Sequence, residues 1–156
     1  MRINFDVIEA DLRTVAILLE ALTALDQVWL HDHPLTPHIY ESGVRFVPED
    51  GQEIWSTIPL VIARGYGNCD QFAAWLCAQY RVQGWTDAVA FPIRSTLDPS
   101  LIHCIVSRDG TMSTIEDPSH VLGAPPVPPA DLARSLERSK AWLRRSCRSW
   151  SLPDSV

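Results

Sequence analysis

No CxxC pair occurs in the 156 residues, and the four cysteines, Cys69, Cys77, Cys104 and Cys147, fall at irregular spacings. Such spacing offers neither a disulfide framework nor a zinc knuckle, so free thiols in a reducing compartment are expected. No apolar run approaches the roughly 20 residues needed to cross a bilayer, so no membrane span is expected. The opening MRINFDVIEADLR breaks its apolar residues with Asp6, Glu9 and Asp11 and does not read as a secretory signal. Positive charge is scarce as well. The net charge is −6, and before Asp131 only seven Lys/Arg stand against sixteen Asp/Glu. An acidic body of this kind argues against a general nucleic-acid binder. From Asp131 onward six Lys/Arg face three Asp/Glu, so the tail alone is basic. There is no internal repeat. At 46% hydrophobic residues the chain has an ordinary globular composition, and at this length one domain buries about 70% of its unfolded surface.

The apolar residues are patterned. INFDVI at positions 3–8 reads as a short opening strand with polar interruptions. Val15, Leu18, Leu19, Leu22, Leu25 and Trp29 recur at spacings of three and four, which predicts the buried stripe of a helix ending near His31. HDHPLTPHIYESGVRFVPEDG is broken by proline and glycine, so loop is expected there with GVRFV as a short strand. EIWSTIPLVIA predicts a short helical piece leading into Gly65 and Gly67. From Asn68 a helix follows, with Phe72, Ala73, Leu76, Cys77 and Tyr80 on a broad apolar face and Gly84 placed to cap its end. DAVAFPI and LIHCIVS read as strands, the second joined through Arg108-Asp109-Gly110 to TMSTIED in a hairpin. Helices followed by antiparallel strands predict an α+β fold. A Pro-rich connector at 124–130 separates this domain, residues 1–123, from an amphipathic basic helix and tail at 131–156, where Leu132, Leu136, Leu143, Cys147 and Trp150 lie near one face.

The stretch GYGNCDQFAAW carries the chemistry. Asn68 is a favoured N-cap and Gln71 stands three residues on, so NCDQ has the form of a capping box with Cys69 at the first helical position. A thiolate there meets unpaired backbone N–H groups and the positive end of the helix dipole, which lower a thiol pKa and could also hold an oxyanion. The glycines ahead of it would let a substrate backbone come close. Taken alone, such a cysteine is more often a small packing residue. A nucleophile needs an imidazole, and the imidazole needs a carboxylate to fix its tautomer. His103 stands in the apolar strand LIHCIVS, and Asp117 ends the next strand. A three-residue loop with Gly110 left-handed would set His103 opposite Ile115 and on one face with Asp117; a two-residue turn would set it opposite Glu116, the fallback carboxylate.

The order GNC at a helix start, a histidine in a strand 34 residues on and an aspartate after it resembles the transglutaminase-like branch of the papain-like cysteine enzymes. More narrowly, HPLTPHIYESGVRF, EIWSTIPLVIARGYGNCDQFAAW and HCIVSRDGTMSTIEDPSHVLG are similar to transglutaminase-like proteins of tailed bacteriophages and prophages, over about Trp29 to Gly123. GDCED is the usual form around that cysteine, and GNCDQ departs from it at Asn68, Asp70 and Gln71, the change at Asp70 keeping the charge. The resemblance implies Cys69 as nucleophile, His103 as general base and acid and Asp117 as its orienting partner, with Trp55, Asn68 and Asp70 lining the site or its oxyanion position. It implies a papain-like fold whose cysteine helix packs on a small antiparallel sheet. The implied activity is that of a cysteine protease, hydrolase or acyltransferase on amide or isopeptide bonds of a protein or peptide, without a cofactor. The expected location is the host cytoplasm or the virion, with the C-terminal helix open to docking other phage proteins. The alternative is an inactive phage structural or assembly protein that uses the fold for binding.

Other signals are weaker. His31, Asp32, His33 and His38 lie in a Pro-rich loop, and His103 and Cys104, as strand neighbours, point to opposite faces, so no metal is expected. Cys77 follows Cys69 by eight residues, about 12 Å along a helix, too far for a disulfide. The tryptophans at 29, 75, 85, 142 and 150 are expected to pack rather than stack on bases.

Overall fold

The computed structural model describes residues 2–5, 12–48, 53–94, 101–111 and 113–126; the helix expected over 131–156 and the connector beyond residue 126 lie outside them. In chain order the elements are β1 (Arg2–Phe5), α1 (Leu12–Asp32), a 3-10 turn (Ile39–Glu41), β2 (Arg45–Phe46), β3 (Glu53–Ser56), α2 (Ile58–Arg64) and β4 (Tyr66–Gly67). There follow α3 (Cys69–Val82), β5 (Val89–Arg94), β6 (Ile102–Ser107), β7 (Ile115–Glu116) and α4 (Pro118–Val121). The class is mixed α+β. β5, β6 and β7 form an antiparallel sheet in that order, β1 pairs antiparallel with β3, and β2 pairs parallel with β4. Among the described residues no helix is long and apolar enough to cross a membrane.

Helix α3 is the centre of the core. Every residue from 70 to 80 is buried, so the helix is enclosed all round rather than on the one face its apolar spacing suggests. Phe72, Trp75 and Leu76 are fully buried, each contributing about 1.5–3 kcal/mol of burial free energy. Its polar residues are tied to backbone elsewhere: the Gln79 side chain accepts from Ile39 N–H at 3.1 Å and donates to Pro37 O at 3.0 Å. α1 and the sheet cover α3, with Ala88, Ala90, Cys104 and Val106 turned towards this core and Phe91, Ile93 and Ile105 forming a second cluster on the other face. Gly84 follows the last turn with φ 99°, the left-handed conformation expected of a helix stop.

Two sequence expectations are corrected. EIWSTIPLVIA is not one helical piece, because its first residues form β3 against the N-terminal β1, a pairing between distant segments that local spacing does not reveal. On α1, Leu25 is exposed and Asp26 takes the inward position beside Leu22 and Leu30. Asp26 is inward because α2 needs it. Thr57, the N-cap of α2, makes no side-chain cap, and Asp26 Oδ1 instead accepts the Ile58 N–H at 2.9 Å.

Burial raises the Asp26 carboxyl from 3.8 to about 7, against the opposing pull of the Ile58 hydrogen bond. Between these values the unfolded chain is ionised while the folded chain keeps the proton, so stability is highest at acid pH and falls as pH rises towards 7. Asp26→Asn is expected to remove this slope. Urea titrations at pH 5 and pH 8 should differ for the wild type by on the order of 1–4 kcal/mol more than for the variant, and equal slopes would show that Asp26 is ionised in the fold.

Candidate active site

Cys69 is the first residue of α3, as the capping pattern predicts. Asn68 is extended (φ −119°, ψ −171°), and its side chain accepts the Gln71 N–H at 3.5 Å. The other half of the box is absent. Gln71 reaches across to β3 instead, where Nε2 donates to Ile54 O, while Oε1 accepts from Arg64 Nη2 at 3.1 Å. One side chain thereby joins the start of α3 to α2 and β3.

The glycines before Cys69 serve this packing. Gly65 ends α2 in the left-handed region at φ 73°. Gly67 is buried, and a Cβ on it would stand 2.8 Å from Gln71 Oε1 and 2.8 Å from Phe72 Cε1. Its bareness is therefore required by the helix behind it.

His103 lies on β6 opposite Ile93, and neither sequence-based register holds: Val106 pairs with Glu116 and Ser107 with Ile115, so the described residues 108–111, 113 and 114 lie in the loop between the paired strands. Asp109 organises that loop, accepting from Thr111 N–H at 2.8 Å and from the hydroxyls of Thr111 and Thr114. Gly110 is left-handed, as the three-residue loop requires, yet the turn continues past it. The displacement from that expected register is an even number of residues, so Asp117 still shares a face with His103. His103 Nε2 meets Asp117 Oδ2 at 2.9 Å, with side-chain exposures of 20% and 19%. Asp117 Oδ1 accepts the His120 N–H at 3.1 Å, so one carboxylate both caps α4 and holds the imidazole.

The sulfur completes the chain. Cys69 is partly buried, its Sγ lies 4.0 Å from Ile102 O, and it hydrogen-bonds His103 and the thiol and amide of Cys104. The Cys104 thiol is the largest influence holding Cys69 well below the ordinary thiol range; burial opposes it, and His103 adds to it. Burial would lower the His103 pKa, but hydrogen bonds to Asp117 and Cys69 outweigh it and raise the ring to about 9. Burial likewise opposes the ionised Asp117, whose carboxyl is nonetheless lowered by the His103 hydrogen bond and charge. The favoured state is a thiolate beside an imidazolium backed by a carboxylate.

Other expected residues are placed differently. Glu116, the fallback carboxylate, does not meet His103: Tyr80 donates to its Oε1 at 2.5 Å and Tyr40 to its Oε2 at 3.4 Å. Trp55 is buried in β3 within the core against which Cys69 packs, and its indole N–H meets no acceptor among the described residues. Asp70 is buried in the first turn of α3. Trp75 is fully buried, whereas Trp85 is 46% exposed and lies under the Arg108 guanidinium at 5.0 Å. His33 stacks on Trp29 and donates from Nδ1 to its carbonyl, and His38 Nδ1 accepts the Tyr40 N–H. Among the described residues no cluster of three or more His, Cys, Asp or Glu could hold a metal ion. Cys104, weighed in the sequence only as a metal ligand, Tyr80, read only as part of an apolar helix face, and Tyr40, given no role there, are contributors that the sequence reading missed, since their partners come from segments far along the chain.

No family model, curated protein or solved structure matches the chain.

Gly67→Ala is expected to cost about 1–3 kcal/mol in denaturant titration, as an overpacked site does, and to lower Cys69 reactivity by displacing Gln71. Gly65→Ala faces open space and pays only the left-handed backbone penalty of about 1–2 kcal/mol, leaving Cys69 reactivity unchanged. Equal loss of reactivity in both variants would contradict the role given to Gln71.

Proposed function

We propose that the protein is a cysteine-dependent hydrolase or acyltransferase acting on amide or isopeptide bonds of a protein or peptide. The observation that carries this reading is the continuous chain from the Cys69 sulfur through His103 to Asp117 Oδ2. The resemblance of its motifs to transglutaminase-like proteins of phages supports the same reading, and with it a papain-like fold. Either buried cysteine packing or a core histidine would explain one residue, but not a thiol and an acid on opposite sides of one imidazole.

With Asp117 at Nε2, the nitrogen of His103 left for the sulfur is Nδ1. The Cys69 thiolate adds to the substrate carbonyl carbon, and the oxyanion takes hydrogen bonds from the N–H of Cys69, which has no acceptor within its own helix, and from the Trp55 indole. Protonated His103 gives its proton to the leaving amine as the C–N bond breaks, leaving a thioester on Cys69. Water or a second amine then yields a proton to His103 and attacks the thioester, which expels the thiolate. Asp117 holds the ring throughout and offsets its charge.

Two measurements test this. Iodoacetamide should label Cys69 selectively well below pH 8, while Cys77, whose buried thiol is pushed up to about 11, stays silent. His103→Ala should lower the labelling rate at pH 7 at least about 10-fold by removing the adjacent positive charge. Peptide and amine-donor turnover, screened against Cys69→Ala, should fall on the alkaline side as pH passes about 9, where His103 loses the proton it must donate. A Cys69 that reacts only above pH 8, no faster than the other thiols, would leave a binding protein as the reading of this fold.

A further inference from the structure

Among the described residues the edge of β6 beside Cys69 has no strand partner, for a reason visible in the backbone. Arg108 N–H donates to Thr114 O at 3.2 Å, towards the β7 side. Strand alternation then points the main-chain groups of Val106, Cys104 and Ile102 the same way. β7 pairs only as far as Glu116 opposite Val106; next come Asp117 and then Pro118, which has no N–H and opens α4. At residues 102–104 no described strand lies along this edge, and Cys69 occupies it: Sγ approaches Ile102 O at 4.0 Å and accepts from the Cys104 amide. On the opposite side Cys104 is paired with Pro92. By the same alternation this pair exchanges no main-chain hydrogen bonds, so the missing proline N–H leaves nothing unsatisfied.

The Cys104 side chain belongs to this arrangement. It is 2% exposed within the α1/α3 core, and its thiol hydrogen-bonds the Cys69 sulfur. Among the described residues neither cysteine is in a disulfide. We propose that Cys104 is a positioning residue for the Cys69 nucleophile, its thiol and backbone amide holding the sulfur as a thiolate at the open edge of β6. The inference rests on Cys69 being the nucleophile. As a neutral thiol Cys69 donates to Ile102 O; once ionised it has only acceptor capacity, and the two Cys104 donors and His103 become its partners. The other ionisable groups about the sulfur are His103 on β6, Asp117 behind that ring and Asp70, the next residue of α3. Neither acid is a donor in its ionised form, so the thiol of Cys104 is a neutral donor that adds no charge to the pair.

The test is the pH profile of Cys69 alkylation, followed by peptide mass spectrometry under a phosphine reductant. Cys104→Ala leaves a small void and Cys104→Val fills it, yet both remove the side-chain donor while keeping the amide. Both are expected to move the alkylation midpoint up by about one pH unit or more. Cys104→Ser keeps a donor and should hold the midpoint nearer that of the wild type. Wild-type midpoints in the Ala and Val variants, with His103→Ala still shifted, would overturn the role of Cys104 and leave the nucleophile standing. A wild-type Cys69 that titrates like an ordinary thiol and is indifferent to His103→Ala would overturn both.

Discussion

The site depends on one contact, the docking of the first residue of α3 against an edge of β6 that no strand among the described residues covers. A sheet edge ordinarily presents unpaired N–H and C=O groups that must find partners. Here a sulfur is the partner. Because Cys69 approaches in the plane of the sheet, it reaches groups that strand alternation would otherwise keep apart: Cys104, turned into the helical core, and His103, turned to the opposite face. That explains how neighbours with opposed side chains can act on a single atom.

Holding a helix terminus against a strand edge demands rigidity behind it. The enclosure of α3 supplies part, with Phe72 and Trp75 fully buried and α1 laid along it. The rest is polar. Gln71 bonds to β3 and α2, and Gln79 to Pro37 and Ile39 where the chain enters the 3-10 turn, so that buried amides fix the register of the helix along its length. An amide in either place cannot be exchanged for an apolar residue without leaving a buried carbonyl or N–H unmatched, at about 1–3 kcal/mol for each group.

Much of this was legible in the sequence, though unevenly. Helices α1 and α3, the Asn68 cap and the seat of Cys69 follow from spacing and capping chemistry, which are local. β3 was not legible, because its partner is the distant β1. The hairpin register was not either, since the loop is set by the Asp109 hydrogen bonds to Thr111 and Thr114 and not by the glycine alone. The pairing of His103 with Asp117 survived that error because faces depend only on parity. The same parity separates two adjacent carboxylates: Glu116, opposite Val106, turns into the helical core to meet Tyr80, while Asp117 turns to His103. Tyr40 and Tyr80 hold the first, and this anchors the strand end from which the second departs.

Asn68 and Gln71, the two uncharged residues among the three departures from the GDCED form that these motifs resemble, fall on residues that hold the cysteine rather than react with it. Gln71 must donate to Ile54 O and accept from Arg64 at once, which a carboxylate cannot do. Asn68 caps through its Oδ1 as an aspartate would, but without charge. Two fewer negative charges beside the sulfur remove repulsions that would raise its pKa. Asp70 is then the one acidic residue in the first turn of α3 beside the thiolate, and Asp117, behind the imidazole, stabilises the cation from its far side. The neutral cap and the distant acid therefore act in the same direction, towards a charged sulfur at the head of α3.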